Sequence, residues 1–219
     1  MVAVLCATAD DRPPGIEDLD VELRFCAADG LAEAVRGAQG LLLWDFFSTA
    51  VRDVWSEAGN LQWIHITAAG VDTLLFDELR ASDVVVTNAR GVFDRPLAEY
   101  VLGAVIAHAK DSRTSFDLQR RHQWRHRETR SITGATALVV GTGGIGREIA
   151  KLLRAAGLTV RGAGRRPVAD DPDFGEVVDS ADLAVHGRWS DHLILAAPPT
   201  APPRGPAGCR VLALPTIHT

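Results

Sequence analysis

Three glycines in the second half of the chain have the spacing of a phosphate-binding turn. Gly141, Gly143 and Gly146 follow an apolar run and open an amphipathic segment. In this setting the first glycine allows a tight turn, the second leaves room for a pyrophosphate, and the third lets a helix pack closely on the sheet. The free N–H groups of Gly144 and Ile145 would face the phosphates at the positive end of the helix dipole. The pattern predicts a dinucleotide site, and an ordinary glycine turn is the alternative.

The residues after the next predicted strand, 159–162, bear on the choice of cofactor. A site for NAD has an acid near this point for the ribose hydroxyls, whereas a site for NADP has arginine for the 2′-phosphate. No acid occurs here before Asp170, and Arg165 and Arg166 are able to grip a phosphate. The pattern favours NADP over NAD, and the alternative is that both arginines are surface turn residues.

Short apolar runs alternate with helical patterns in the first half of the chain. This alternation predicts βαβ units and a parallel sheet. The predicted strands are residues 2–7, 21–27, 40–44, 61–67 and 83–87, and the predicted helices are 31–37 and 49–58. Further predicted elements are a strand at 135–140, a helix at 144–156 and strands at 159–162 and 193–197.

A further helix is predicted to start near Asp94, a candidate N-cap, and to continue over residues 97–109. This segment is apolar on nearly every side, which predicts a buried helix. An arginine-rich stretch around Trp124 follows it and could suggest a nucleic-acid surface. A solvated helix face or the rim of a cleft for an anionic substrate explains the stretch better, because the chain as a whole is acidic.

Composition narrows the class of protein. The chain has 219 residues, of which 47% are hydrophobic, and a net charge of −5. The acidic balance gives no reason to expect nucleic acid or an anionic membrane as partner, and no apolar run reaches the roughly 18 residues that a spanning helix needs. The three cysteines are too few and scattered for a disulfide framework or a zinc site. A cytoplasmic protein without a bound metal is expected.

Several short segments occur in a fixed order along the chain. They are residues 63–72, 87–91, 97–102, Gln119 with Trp124, 141–150, 164–167 and 193–198. Together they resemble the D-isomer-specific 2-hydroxyacid dehydrogenases, particularly the glyoxylate/hydroxypyruvate reductase-like branch. The resemblance implies an α/β fold with a flavodoxin-like substrate lobe and an incomplete Rossmann domain, both with parallel sheets. The implied divisions are the lobe at 1–95, an interdomain helix and connection at 96–133, the first half of an NAD(P)-binding domain at 134–200, and an irregular proline-rich tail at 201–219.

The family chemistry implied by this resemblance is hydride transfer between the nicotinamide ring and C2 of a small 2-oxo or 2-hydroxy acid. The backbone N–H groups of Ala69, Gly70 and Val71 would hold the substrate carboxylate in an anion nest that uses the flexibility of glycine. A glycine turn that closes a βα unit is the alternative reading of Gly70. The implied cofactor-binding residues are Gly141, Gly143, Gly144, Ile145, Gly146, Arg165, Arg166, Ala197, Pro198 and Thr200.

The resemblance ends before the catalytic residues of the family, which are an arginine and a later glutamate–histidine pair. Arg204, Arg210 and His218 lie in the proline-rich tail without the family context, so none of them takes over a catalytic role. We therefore expect a C-terminally truncated chain that is inactive alone. A non-catalytic module that binds a dinucleotide or a partner is the alternative function, and a homodimer stays open as an oligomeric state.

Overall fold

A computed structural model describes residues 1–8 and 10–197 and divides the chain into two compact units. The first unit is Met1–Val92, and the second begins at Phe93. The helix and connection expected at 96–133 fall within the second unit. Pro198, Thr200 and the predicted tail at 201–219 lie outside the described residues, as do Arg204, Arg210 and His218.

The first unit is built on a parallel sheet of five strands. The strands are β1 (Val2–Leu5), β2 (Leu23–Cys26), β3 (Gly40–Leu43), β4 (Trp63–Ile66) and β5 (Val85–Asn88), in the order β2-β1-β3-β4-β5. The helices are α1 (Leu31–Val35), α2 (Ala50–Asp53) and α3 (Asp77–Arg80). All five predicted strands are confirmed, because alternating turns and short apolar runs mark them clearly. The helix predicted at 49–58 is shorter, since a 3₁₀ turn at Trp55–Glu57 follows α2.

The second unit carries two helices before its sheet. Its elements are α4 (Asp94–Ala109), α5 (Ser112–Arg120), β6 (Thr136–Val140), α6 (Gly144–Ala155), β7 (Thr159–Gly164), β8 (Val168–Asp171), β9 (Gly175–Asp179), α7 (Leu183–His186) and β10 (His192–Leu195). The strand order is β10-β6-β7-β9-β8. Strands β10, β6, β7 and β9 are parallel neighbours, while β8 is antiparallel to β9. The sheet is therefore mostly rather than wholly parallel.

Helix α6 packs between the sheet and α4. Ile149 and Leu153 on α6 are fully buried in one cluster with Val139 of β6 and with Ala98 and Val105 of α4. The apolar positions of α6 recur at helical spacing, so one side of the helix can be covered by these neighbours. This packing fixes the start of α6 at the end of β6, where the glycine-rich turn lies.

Helix α4 corrects two sequence-based predictions. It was expected to be buried on nearly every side, yet Ala98 and Val105 are its only buried residues and Tyr100 is 76% exposed. The described chain covers only the stripe that faces α6, and an apolar composition does not say what covers the rest. Asp94 was expected to be the N-cap, but it is the first helical residue, and Phe93 precedes it without a side-chain capping bond.

Candidate dinucleotide site

Two glycines of the β6–α6 turn are required by close backbone contacts. Gly141 has a φ of 108°, and a Cβ there would lie 2.7 Å from the carbonyl carbon of Ala196 and from the nitrogen of Ala197. A Cβ at Gly146 would overlap the carbonyl group of Gly141, whose carbon would be 3.0 Å away. Any side chain at these two positions would therefore push α6 or the segment after β10 away from the turn.

The third glycine of the turn, Gly143, has a different environment. A Cβ at Gly143 would have no described atom within 4 Å, so the space in front of this residue is open. Gly143 is also the N-cap of α6, with extended backbone and no side-chain capping bond. The open space is consistent with room for a pyrophosphate against the backbone.

The first turn of α6 presents unpaired donors beside this space. Within the described ranges, the N–H groups of Gly144, Ile145 and Gly146 make no hydrogen bond, while the N–H of Arg147 donates to the carbonyl oxygen of Gly143 at 2.9 Å. The first N–H groups of any helix lack intrahelical partners and lie at the positive end of its dipole. The three groups together can bind an anionic phosphate.

The turn lies where the direction of the chain across the sheet reverses. The chain passes from β6 to β7 on one side, and it later returns to place β10 on the other side of β6. Ligands of open α/β sheets bind at such a switch point, outside the carboxyl ends of the strands. Ala197, predicted to border the cofactor, is exposed and lies against Gly141 at this edge.

The last residue of β7, Gly164, has little space for a side chain. A Cβ at Gly164 would lie 3.0 Å from Oγ1 of Thr142 and 3.5 Å from Cγ1 of Val177. The side chain of Thr142 thus crowds the position where an acidic side chain would start. Sequence reasoning missed Thr142, because it stands at a variable position of the glycine motif. Arg165 and Arg166 follow, both are exposed, and within the described chain neither makes an ion pair or hydrogen bond.

Arg147, the first residue after the glycine motif, holds the β8–β9 turn to α6. Its guanidinium donates to both carboxylate oxygens of Asp171 at 3.0 Å and to Oδ2 of Asp173 at 2.8 Å. Burial tends to raise the pKa of Asp171, but the bonds from Arg147 and from the N–H groups of Phe174 and Asp173 outweigh it and lower the pKa. Sequence reasoning also missed this cluster, because the partners are too far apart in the chain to form a pattern.

The predicted substrate loop follows β4 in the first unit. Ala69 and Val71 are half-buried and Gly70 is exposed. The side-chain amide of Asn88 donates to the carbonyl oxygen of Ala69 at 2.7 Å, and no hydrogen bond from the N–H groups of residues 69–71 is found in the described chain. These groups are thus available to an anion. Gly70 does not adopt a left-handed φ, however, so the loop does not use the glycine flexibility that the nest reading expected.

Residues 1–8 and 10–197 contain neither a candidate metal site nor a candidate membrane-spanning helix. No group of three or more His, Cys, Asp or Glu side chains is arranged there to hold a metal ion. None of the described helices combines the length and the apolar character that crossing a membrane requires.

The glycine turn, its unpaired N–H groups and the switch point define a Rossmann-type dinucleotide-binding domain. The family profile described as "D-isomer specific 2-hydroxyacid dehydrogenase, NAD binding domain" matches residues 102–214. The chain therefore belongs to the D-isomer-specific 2-hydroxyacid dehydrogenase family, as its sequence motifs predicted. Because the matched part is the NAD binding domain of the family, the predicted class of cofactor is also confirmed.

The chain is similar to one curated relative in sequence and to two solved structures in fold. The hydroxypyruvate reductase of Thermotoga maritima is 25% identical over 190 residues, which are 84% of this chain and 59% of the relative. The D-lactate dehydrogenase of Aquifex aeolicus, solved with NAD and lactic acid, superposes with a TM-score of 0.74 at 18% identity, over 90% of this chain and 61% of that one. The NADPH-dependent glyoxylate/hydroxypyruvate reductase of Sinorhizobium meliloti, solved with NADP and sulfate, gives 0.70 at 22% identity, over 90% and 62%.

The two solved structures show the shared fold. The chain spans only part of the length of its curated relatives. The matches span between 22% and 59% of the length of four such relatives.

Proposed function

We propose that the chain is an NAD(P)-dependent oxidoreductase by type, of the D-2-hydroxyacid dehydrogenase class. Enzymes of this class interconvert 2-oxo and 2-hydroxy acids. The three unpaired N–H groups at the start of α6, beside the switch point, carry this proposal. A bound nicotinamide cofactor supplies or accepts the hydride. The amides of Gly144 and Ile145 hold its pyrophosphate, and Gly143 leaves the space for it. The free thiols of Cys6 and Cys26 fit the predicted cytoplasmic location.

We propose further that NADP is preferred over NAD. Arg165 and Arg166 are exposed and unpaired in the described chain, next to a strand end where Thr142 crowds the space that an acidic side chain would need. Two such guanidinium groups suit the 2′-phosphate, which NAD lacks.

The affinities for NADPH and NADH test this preference. Wild type is expected to bind NADPH at least about ten-fold more tightly, and the double variant Arg165→Ala/Arg166→Ala to lose that difference, because charge-assisted bonds to a phosphate are worth roughly 1.5–3 kcal/mol each. Arg188→Ala is the control, since Arg188 is another exposed arginine of the same unit. Equal affinities of wild type for both cofactors would contradict the proposal.

The substrate in this proposal is a small 2-oxo acid whose carboxylate binds the N–H groups of Ala69, Gly70 and Val71. Support comes from the availability of these groups and from the hydrogen bond of Asn88 that holds the loop at Ala69. Glyoxylate and hydroxypyruvate are the first probes, because both carry the carboxylate next to a carbonyl group.

We propose that the 219-residue chain binds the dinucleotide but does not turn over these acids. Support comes from the sequence analysis, in which Arg204, Arg210 and His218 were not assigned to the catalytic arginine or the glutamate–histidine pair implied by the family resemblance. With NADPH and either acid, the nicotinamide absorbance is expected to fall no faster than without protein. Sustained oxidation of NADPH would contradict this part of the proposal. Binding of NADPH without turnover is also the behaviour of a non-catalytic dinucleotide-binding module, which is the alternative function.

A homodimer through α4 and α5 is the oligomeric state we propose. The exposed apolar residues of these helices are Leu97, Tyr100, Ile106 and Phe116, and the exposed Trp124 follows α5. A groove beside Phe116 is also lined by Arg113, Asp117 and Arg120, so the same surface carries both signs of charge. A surface with exposed apolar residues and both signs of charge suits the self-complementary interface that a two-fold dimer requires.

Sedimentation velocity tests the dimer. Tyr100→Ser combined with Ile106→Ser is expected to shift a dimeric wild type to monomer, because it removes apolar area from the proposed interface. Leu19→Ser is the control, since Leu19 is 56% exposed and lies in the first unit. A monomeric wild type at all concentrations would contradict the proposal.

A further inference from the structure

The first turns of α4 and α6 lie side by side at the proposed phosphate site. The carboxylate of Asp94, the first residue of α4, lies against Gly144, the first residue of α6. A Cβ at Gly144 would contact Oδ2 of Asp94 and would lie 3.1 Å from Cγ and 3.4 Å from Oδ1. The next residue, Arg95, donates from Nη1 to Oε1 of Glu148 on α6 at 3.3 Å. Both contacts place the first turn of α4 beside the first turn of α6.

The charge of Asp94 is not matched by a partner. Within the described residues its carboxylate makes no hydrogen bond and no ion pair. The nearest cation along the chain, Arg95, is bonded to Glu99 at 2.7 Å and to Glu148 instead. Asp94 therefore places an uncompensated negative charge next to the unpaired N–H groups of α6, at the positive ends of two helices.

This position also explains why residue 144 is a glycine. The glycine motif requires no glycine at this point, since its three glycines are Gly141, Gly143 and Gly146. Any side chain at position 144 would displace the carboxylate of Asp94. The pair Asp94–Gly144 thus keeps an anion at the helix terminus that a phosphate would approach.

We propose that Asp94 competes with the cofactor pyrophosphate at the start of α6 and so limits the affinity for the dinucleotide. The inference rests on the proposed function, in which these N–H groups bind the pyrophosphate. A helix N-terminus favours negative charge, but two anions within a few ångströms of each other repel. Binding of the cofactor must therefore either move the carboxylate of Asp94 or tolerate its repulsion, and release is correspondingly easier.

The test compares wild type with Asp94→Asn, which keeps the shape of the side chain and removes its charge. We expect the Kd of NADPH and of ADP to fall by about ten-fold in the variant, since a repulsion screened by nearby solvent is worth about one such factor. Adenosine, which has no phosphate, should bind both proteins equally. Asp94→Glu, which keeps the charge, should not gain affinity. Thermal unfolding of each variant confirms that it is folded.

Two further measurements separate repulsion from a general structural effect. The gain in Asp94→Asn should shrink in 1 M salt, where the screening length is only about 3 Å. Glu99→Gln is the matched control, because it removes a carboxylate from the same helix, at a residue that pairs with Arg95. It should leave the Kd of NADPH unchanged.

The outcomes distinguish this inference from the proposed function. If neither wild type nor Asp94→Asn binds NADPH or ADP, the proposed cofactor site is wrong and the inference falls with it. If wild type binds NADPH and Asp94→Asn binds it equally well or more weakly, the cofactor site stands and the competition by Asp94 is wrong. An equal gain for adenosine would likewise overturn it, because the effect would not involve phosphate.

Discussion

The two loops proposed to bind anions are built in different ways. In the β6–α6 turn, Gly141 and Gly146 are fixed by backbone contacts that leave no space for a side chain. In the loop after β4, Gly70 is exposed, its φ is not left-handed, and the nearest described atom to a Cβ would be Oδ2 of Asp72 at 3.2 Å. The conformation of the first loop is thus fixed by backbone packing, while the second loop is held by the side-chain hydrogen bond from Asn88 to Ala69. Substitutions at matched glycines can test this difference.

Gly146→Ala should have the largest effect. Its methyl group would overlap the carbonyl of Gly141, so α6 must move away from the strand. Overpacking costs roughly 1–3 kcal/mol, and we expect the upper end because the clash is with backbone. The free energy of unfolding in urea measures this loss, and binding of NADPH should disappear with it.

Gly143→Ala is the control for this prediction, because its Cβ would enter open space and its backbone is extended. Its stability should change by less than about 1 kcal/mol, while the affinity for NADPH falls because the methyl group occupies the space for the pyrophosphate. A Gly146→Ala protein as stable as wild type would show that the close packing of the turn is not required.

Arg147→Ala should have the next largest effect, because it removes the guanidinium that holds the β8–β9 turn to α6. It would leave the carboxylate of Asp171, whose side chain is 6% exposed, without its cation. We expect a loss of about 2 kcal/mol in the free energy of unfolding, below the range for fully buried pairs because Arg147 itself is 37% exposed. Lys151→Ala is the control, since Lys151 is exposed and reaches Asp173 only at 3.9 Å. It should cost less than about 0.5 kcal/mol.

The loss of stability in acid should also test the ion pair between Arg147 and Asp171. The pKa of Asp171 is lowered in the folded protein, against the opposing effect of burial, by Arg147 and by two backbone N–H groups. A lowered pKa contributes stability above the unfolded value of about 3.9, and this stability is lost as the pH falls below it. Wild type should therefore lose more stability than Arg147→Ala between pH 5 and pH 3. Identical acid profiles would contradict the role of the pair.

The sequence predicts the β6–α6 turn well because its determinants are local. Gly141, Gly143 and Gly146 lie within six positions, and the strand and helix that flank them are adjacent in the chain. The five strands of the first unit were predicted for the same reason. Features that depend on distant partners were missed, such as Thr142 against Gly164 and Arg147 with Asp171.

Other errors come from features that a one-dimensional pattern cannot show. Strands β8 and β9 were not predicted, because β8 is Val-Ala-Asp-Asp and largely exposed, without an apolar run to mark it. The apolar composition of α4 predicted burial, yet a sequence does not say which neighbour covers each side of a helix. Asp94 resembled a capping residue, and only the packing of α4 beside α6 shows that its carboxylate lies against Gly144.

Gly70→Ala should have the smallest effect and completes the contrast between the two loops. Where the native φ suits alanine, replacing glycine stabilises a protein by about 0.4–1 kcal/mol, because it restricts the unfolded chain. The contact with Asp72 opposes this gain, but the atom involved is the end of a side chain that can move. We therefore expect a change within about 0.5 kcal/mol in the free energy of unfolding. Gly134→Ala is the comparison, since a Cβ at Gly134 would have no described atom within 4 Å but its φ is 84°, and it should be destabilising by about 1 kcal/mol. If Gly70→Ala cost as much as Gly134→Ala, the substrate loop would be under a backbone constraint like that of the cofactor turn, and the distinction between a packed loop and an open one would not hold.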